Sequence, residues 1–301
     1  MRVLVTGAAG FLGGRLAAAL AADPRITSVT GLDRVLPVAG IGFPFVGADI
    51  GDFERSAPAA DLVVHAAAIT SQASEADPAA ARAINLDGTR AVLRWAAVQP
   101  SPPRIVHLSS VAVLGSADAV ACEDAEAAPR STYGATKLAA EQLLQDAARR
   151  GEADSVILRL PVTIIRTARR TAPPGAGFLS DLIDAALRGR PFVAPLAPDR
   201  AVPVASLRAV TGLVLRAALE PVPARLLHVP ALAGSAASAL AALARLGIAG
   251  DGITCLPDLV VARLVEGWPE RLGTLHPAFS DGLADEGLEP IIRAHAAGIA
   301  A

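Results

Sequence analysis

The first thirteen residues constrain the fold more than any other stretch. Residues 2–6 (RVLVT) form a short apolar run that reads as a buried strand. The run passes directly into Gly7-x-x-Gly10-x-x-Gly13, and an apolar helical pattern follows over about 11–22. Glycines at this spacing let the backbone turn tightly and approach a pyrophosphate. The start of the helix then offers unsatisfied N–H groups at Phe11, Leu12 and Gly13. Glycine triplets alone are common; the strand before and the helix after give this one its meaning.

Strands and helices then alternate. Strands are expected at 28–32, 44–46, 61–65, 104–108 and 155–160, with helices near 78–85, 87–97 and 131–149. That rhythm predicts an α/β fold, a doubly wound parallel sheet of the Rossmann type with helices on both faces. Residues 1–165 are expected to form this domain, rejoined by about 204–222. After Arg166 the rhythm breaks. Residues 166–203 and 223–301 are expected to form a smaller C-terminal substrate-binding lobe, with helices near 178–188, 235–246 and 288–297 and a strand near 226–229.

Composition removes several classes. With 52% hydrophobic and 19% charged residues the chain is no disordered polymer. A net charge of −2 gives no basic surplus for nucleic acid or an anionic membrane. The two cysteines and five histidines are scattered without metal-ligand spacing, so no metal is expected. No apolar run approaches the ~20 residues of a spanning helix. The N-terminus runs straight into a strand pattern, so a cytoplasmic protein acting on a small molecule is expected.

Asp33 closes the second strand, twenty residues after Gly13. A carboxylate there accepts hydrogen bonds from ribose hydroxyls and repels a 2′-phosphate, which favours NAD over NADP. The adjacent Arg34 is the residue that would face such a phosphate. Asp49 and Ile50 follow the third strand, where an adenine would lie; a plain turn aspartate is the alternative. Ala66, Ala67 and Ala68 end the fourth strand with side chains small enough for a cofactor to lie on the backbone, or simply to pack tightly. His65 reads as a packed histidine. The polar run of Thr70, Ser71, Gln72, Ser74 and Glu75 reads either as substrate contacts or as helix caps.

One lysine stands among the 27 basic residues, Lys137, and the single tyrosine, Tyr133, lies four positions earlier on the predicted 131–149 helix. They therefore share one helical face. Lysine is a compact, tunable charge where arginine is planar and fixed. A phenol is a poor base near neutral pH unless an ammonium favours its anion. Ser110, just past the fifth strand, sits where doubly wound folds bind ligands and can bond a substrate oxygen; Ser109 is the alternative. Asn85 lies inside a helix, where it kinks the chain, orients a water behind the lysine, or is a plain surface asparagine. Arg166, Arg169, Arg170 and Arg200 offer forks for a carboxylate or phosphate.

Taken together, GAAGFLG at 7–13, Asp33, HAAA at 65–68, NLDGT at 85–89, LSSVAVLG at 108–115 and YGATK at 133–137 resemble the extended short-chain dehydrogenase/reductases, the branch of NAD-dependent epimerases and dehydratases. The resemblance implies catalysis by Ser110, Tyr133 and Lys137, with Tyr133 as acid/base and touching substrate and cofactor, and Asn85 in the relay. It also implies a homodimer through the helices at 85–97 and 131–149.

A narrower resemblance, through NLDGTRAVL (85–93), STYGATKLAAEQLL (131–144), VILRLPVTIIR (156–166) and GWPERL (267–272), is to the dehydrogenases of the four-carbon sugar acid D-erythronate. It implies oxidation of a secondary alcohol to a 2-keto acid. Ser71 would contact cofactor or substrate, and Pro161 and Thr163 would pass under the nicotinamide. Leu114 and Pro161-Val162-Thr163 depart from the sugar-nucleotide epimerases and favour a small acid, bound with help from Arg166 and Arg200. The alternatives are a nucleotide-sugar 4-epimerase or dehydratase on the same residues, and a non-catalytic cofactor sensor, which has no use for an intact Tyr-Lys pair.

Overall fold

A computed structural model describes residues 1–37, 42–115, 118–165 and 175–300. From the N-terminus the elements are β1 (Arg2–Thr6), α1 (Phe11–Ala21), β2 (Ser28–Asp33), β3 (Phe45–Gly47), a 3-10 turn (Ile50–Asp52) into α2 (Phe53–Ser56), and β4 (Leu62–His65). Then come α3 (Ser71–Ala76), α4 (Pro78–Ala81), a π-helical turn (Arg82–Asp87), α5 (Gly88–Ala97), β5 (Arg104–Ser110), β6 (Val120–Ala121), α6 (Thr132–Arg149) and β7 (Asp154–Leu160). The remainder holds β8 (Val162–Ile164), α7 (Phe178–Leu187), β9 (Phe192–Ala194), β10 (Val202–Ser206), α8 (Leu207–Leu219), β11 (Leu226–His228), β12 (Leu232–Gly234), α9 (Ala236–Arg245), β13 (Ile253–Cys255), α10 (Leu259–Leu264), β14 (Arg271–Leu272), α11 (Pro277–Ser280) and α12 (Leu288–Ala300).

Seven strands form one sheet in the order β11-β7-β5-β4-β1-β2-β3. β1 runs parallel to both β2 and β4, β2 to β3, and β4 to β5. The order reverses at β1, so the crevice of a doubly wound sheet opens beyond the carboxyl ends of β1 and β4. Burial on both faces explains why β4 and β5 are near-continuous apolar runs rather than alternating ones. Two helices begin where the sequence supplies side-chain caps. Ser131 accepts from Gly134 N at the start of α6, and Asp77 accepts from Ala80 N ahead of Pro78 at the start of α4.

The chain divides into two compact units: residues 1–113, 131–159 and 211–227, and residues 114–130, 160–210 and 228–301. Two segments differ from the 1–165 boundary expected from sequence. Residues 114–130 join the second unit because β6 pairs with β14, and residues 160–165 join it because β8 pairs with β10. The second unit also carries a three-stranded sheet, β12-β10-β8, and the pair β13-β9. Among the described residues no helix is long and apolar enough to cross a membrane.

Leu4, Leu32, Ile50, Phe53, Val63, Val92, Trp95, Ile105, Leu144 and Ile157 form the core of the first unit. Phe53 and Trp95 meet edge to face, with ring centroids 5.5 Å apart. Truncation of a ring in such a cluster removes its transfer energy and leaves a cavity. Phe53→Ala is expected to lower stability by about 3–5 kcal/mol in urea denaturation; a loss below about 1 kcal/mol would place the ring outside the core.

Candidate active site

The glycine turn is shaped by close approach. Gly7 takes φ +69°, and a Cβ there would stand 2.8 Å from the Ala67 nitrogen and 2.9 Å from the Ala66 carbonyl carbon. The turn after β1 thus rests on the backbone after β4, which requires glycine on one side and small residues on the other. A Cβ on Gly13 would collide with the Gly7 carbonyl, so the third glycine seats α1 against the turn. Gly10 caps α1 without a side-chain bond, leaving the first-turn N–H groups of Phe11, Leu12 and Gly13 without a helical acceptor.

Asp33 is bolted to the same turn. One carboxylate oxygen accepts from Ala9 N at 3.2 Å, the other from Val35 N at 3.1 Å. Arg34 is exposed. Asp49 accepts from Gly51 N at 2.9 Å and starts the 3-10 turn that buries Ile50. A Cβ at Gly88 would meet Ile50, so that glycine lets the loop settle on α5. A diphosphate fits at the positive helix end, and ribose hydroxyls fit at Asp33. The residues present therefore suit a dinucleotide, held by Gly7–Gly13, Asp33 and the edge at Ala66–Ala68.

The acid/base side is built on α6. Tyr133 occupies its first turn, half-buried, and Lys137 lies one turn on, 1% exposed. The Lys137 Nζ donates to the Leu108 carbonyl at 2.8 Å, fixing α6 against the end of β5. Burial pushes the ammonium down to about 8, against the Glu141 carboxylate one turn further along, which favours the charged form. Ser110 ends β5, buried, its Oγ accepting from Ala112 N at 3.2 Å. The neighbouring Ser109 donates to Glu141 Oε1 at 2.5 Å, so its hydroxyl is spent and the alternative to Ser110 weakens.

Asn85 sits within the π-helical turn, buried. Its Oδ1 accepts from Ile69 N at 2.9 Å, and its Nδ2 donates to the Ile69 carbonyl at 3.1 Å and to Thr136 Oγ1 at 3.2 Å. It therefore clamps the loop after β4 to the helix that carries Tyr133. Ser71 opens α3. Ser74 is buried and donates to the Ile69 carbonyl, while Glu75 accepts from Thr132 N at 2.6 Å. Of the polar run after β4, these last two are structural ties.

Two histidines lie behind the lysine. His65 and His107 have ring centroids 5.2 Å apart. His65 bridges Thr6 and Thr89, at 2.8 and 3.0 Å. Burial first, and then the Lys137 ammonium, hold His65 down at about 3 and His107 well below its ordinary value. Both are neutral. Arg159 forks onto Glu141, with Nη2 to Oε2 at 2.8 Å and Nε to Oε1 at 3.0 Å. Neither Glu141 nor Arg159 was singled out from sequence; the available signal was an arginine inside the apolar run of β7.

In the second unit, Thr163 lies on β8 opposite Ala205, and Pro161 precedes it, buried. Arg200 donates to the Val265 carbonyl at 2.6 Å and the Trp268 carbonyl at 3.3 Å, so part of its fork is already used in shaping that turn. Arg166, Arg169 and Arg170 lie outside the described residues. A cavity of about 870 Å³ is bounded by Ile165, Ser206, Arg208, Asp285 and His295. Among the described residues no group of three or more His, Cys, Asp or Glu is placed to hold a metal.

A doubly wound sheet, a glycine cradle with an acidic partner on β2, and a Tyr-Lys pair beside the end of β5 define a nicotinamide-dependent oxidoreductase. The model of the NAD dependent epimerase/dehydratase family matches residues 3–199, and the chain belongs to that family. It is an NAD-dependent dehydrogenase of the extended short-chain dehydrogenase/reductase type. It is similar to the D-erythronate dehydrogenase of Cupriavidus necator, 31% identical over 98% of each chain. It is also similar to the D-erythronate dehydrogenase of Haemophilus influenzae, 29% identical over 90% of this chain and 91% of that one. A solved structure described as a nucleoside-diphosphate-sugar epimerase from Agrobacterium tumefaciens superposes with TM-score 0.88 at 28% identity, covering 98% of this chain and 93% of that one.

The buried histidines set a pH dependence. Their folded values lie below the unfolded value of 6.5, so the unfolded chain binds more protons as pH falls through that value, and stability drops. His107 makes no hydrogen bond through either ring nitrogen, so leucine can replace it without orphaning a partner. As pH falls below 6.5 the wild type is expected to lose more stability than His107→Leu in urea titrations. Equal losses would mean that His107 is protonated in the folded state.

Proposed function

We propose that the protein oxidises the secondary alcohol of a small sugar acid, D-erythronate or a close neighbour, to the 2-keto acid, with Tyr133 as acid/base. The observation that carries the chemistry is the single lysine, one turn from the single tyrosine and buried against the carbonyl of Leu108, two residues before Ser110 on β5. The substrate class is supported by likeness over nearly the full chain to two D-erythronate dehydrogenases.

Tyr133, as phenolate, takes the hydroxyl proton, and the nearby ammonium of Lys137 favours that phenolate. Ser110 donates a hydrogen bond to the same oxygen as it becomes a carbonyl. When bound, NAD accepts the hydride from the substrate carbon, so the C–H and O–H bonds break as the C=O bond forms. Asn85 keeps the loop after β4 fixed on the Tyr133 helix. A homodimer is carried into this proposal on the resemblance alone; sedimentation velocity tests it.

Purified protein mixed with NAD and a series of C3–C6 aldonic acids is expected to produce reduced nicotinamide with a four-carbon acid, read at 340 nm, and little with NADP. No signal with any acid, together with interconversion of a nucleotide sugar without net reduced NAD, would replace the dehydrogenase reading by the epimerase one. Tyr133→Phe is expected to lower kcat roughly 10²–10⁴-fold. Its NAD affinity, followed by protein fluorescence, should stay close to that of the wild type. Loss of both would make the tyrosine structural.

A further inference from the structure

A buried carboxylate paired with a buried guanidinium calls for an explanation, because apolar residues of similar volume usually give equal or greater stability. Glu141 is 0% exposed and Arg159 is 5% exposed, both behind the Tyr133–Lys137 helix. The Glu141 carboxylate accepts from Ser109 Oγ at 2.5 Å and from the Arg159 fork. Lys137, one turn earlier, donates to the Leu108 carbonyl. Three successive residues of β5 thus stand in order: Leu108 holds Lys137, Ser109 holds Glu141, and Ser110, the proposed substrate contact, follows with its Oγ accepting from Ala112 N. Successive strand side chains point to opposite faces, so anchoring Ser109 fixes the direction of Ser110.

The charges around Lys137 complete the picture. Its own helix supplies Tyr133 and Glu141, β4 supplies His65, β5 supplies His107, and β7 supplies Arg159. The two histidines are neutral. Glu141 is the anion that favours the Lys137 ammonium, and the same carboxylate holds Arg159.

We propose that Glu141 is a positioning residue for the reaction, latching Ser110 through Ser109 and serving as the shared counter-ion of Arg159 and the buried Lys137 one turn away. This rests on the dehydrogenase reading for its kinetic part only. The charge on Lys137 is measurable without substrate, because the chain contains one lysine, and ε-¹³C-lysine labelling therefore gives one NMR signal. In the full chain its titration midpoint is expected near the value of about 8 set by burial. Glu141→Gln removes the anion and keeps the shape, and the midpoint should fall by about one pH unit. Arg159→Met removes the other cation on the shared carboxylate, and the midpoint should rise. Opposite signs from two changes within one ion pair are not expected from loosened packing.

Ser109→Ala leaves every charge in place. It should leave the lysine midpoint where it was while kcat falls roughly tenfold to a hundredfold, with the KM for NAD little changed. A lysine midpoint that ignores Glu141→Gln overturns the electrostatic half of the proposal, and full kcat in Ser109→Ala overturns the latch. Should either charge variant fail to fold by circular dichroism, the remaining charge variant and Ser109→Ala still decide. If no sugar acid is oxidised yet the lysine midpoint moves as described, the substrate reading fails and Glu141's hold on Lys137 stands.

Discussion

The structure depends on keeping one ammonium charged where there is almost no water. Lys137 gives up its hydration for the Leu108 carbonyl and the field of Glu141. Everything packed against it is arranged to tolerate that charge. His65 is held between two threonines as a neutral ring, and His107 lies tilted beside it, also neutral. The arginine that would have made the region too positive is neutralised by the same carboxylate that supports the lysine. Substituting arginine for this lysine would bring a planar, permanently charged group where a compact one fits.

The cofactor side obeys a different constraint, one of steric proximity. The glycine turn lies so close to the backbone after β4 that a methyl group on Gly7 would overlap it. Small residues at 66–68 and glycines at 7 and 13 are therefore two halves of one fit. The acid/base side meets the same loop through Asn85, which grips both the N–H and the carbonyl of Ile69. The loop after β4 is thus held from both directions, by the glycine turn and by α6.

How much of this was legible in the sequence depends on the range of the interactions. The strands at 2–6, 28–33, 62–65 and 104–110 and the helix at 132–149 announce themselves through local pattern, capping and glycine. Short strands such as Phe192–Ala194, Val202–Ser206 and Ile253–Cys255 exist only because a distant partner pairs with them, and three to five residues carry no periodicity of their own. Residues 114–130 cluster with the second unit for the same reason: β6 pairs with β14, about 150 residues away. In the site, Tyr133 and Lys137 stood out by rarity. Glu141 did not, because a glutamate on an amphipathic helix reads as a solvated face. Glu75 read as a substrate contact or a cap, and only tertiary contact shows that it ties α3 to the start of α6.

The π-helical turn at Arg82–Asp87 carries one residue more than an α-helix of the same rise would need. Such a turn gives up hydrogen-bond quality locally, so it persists where the extra residue has work to do, and here Asn85 is in it. Chain length is therefore not a neutral variable at this point. Surface loops absorb insertions and deletions readily. Removing a single residue between 82 and 87 would leave a more regular helix, with Pro78–Ala81 and Gly88–Ala97 joined without interruption, while withdrawing the amide that grips Ile69. A relative one residue shorter here would keep the fold and have to find another way to hold that loop.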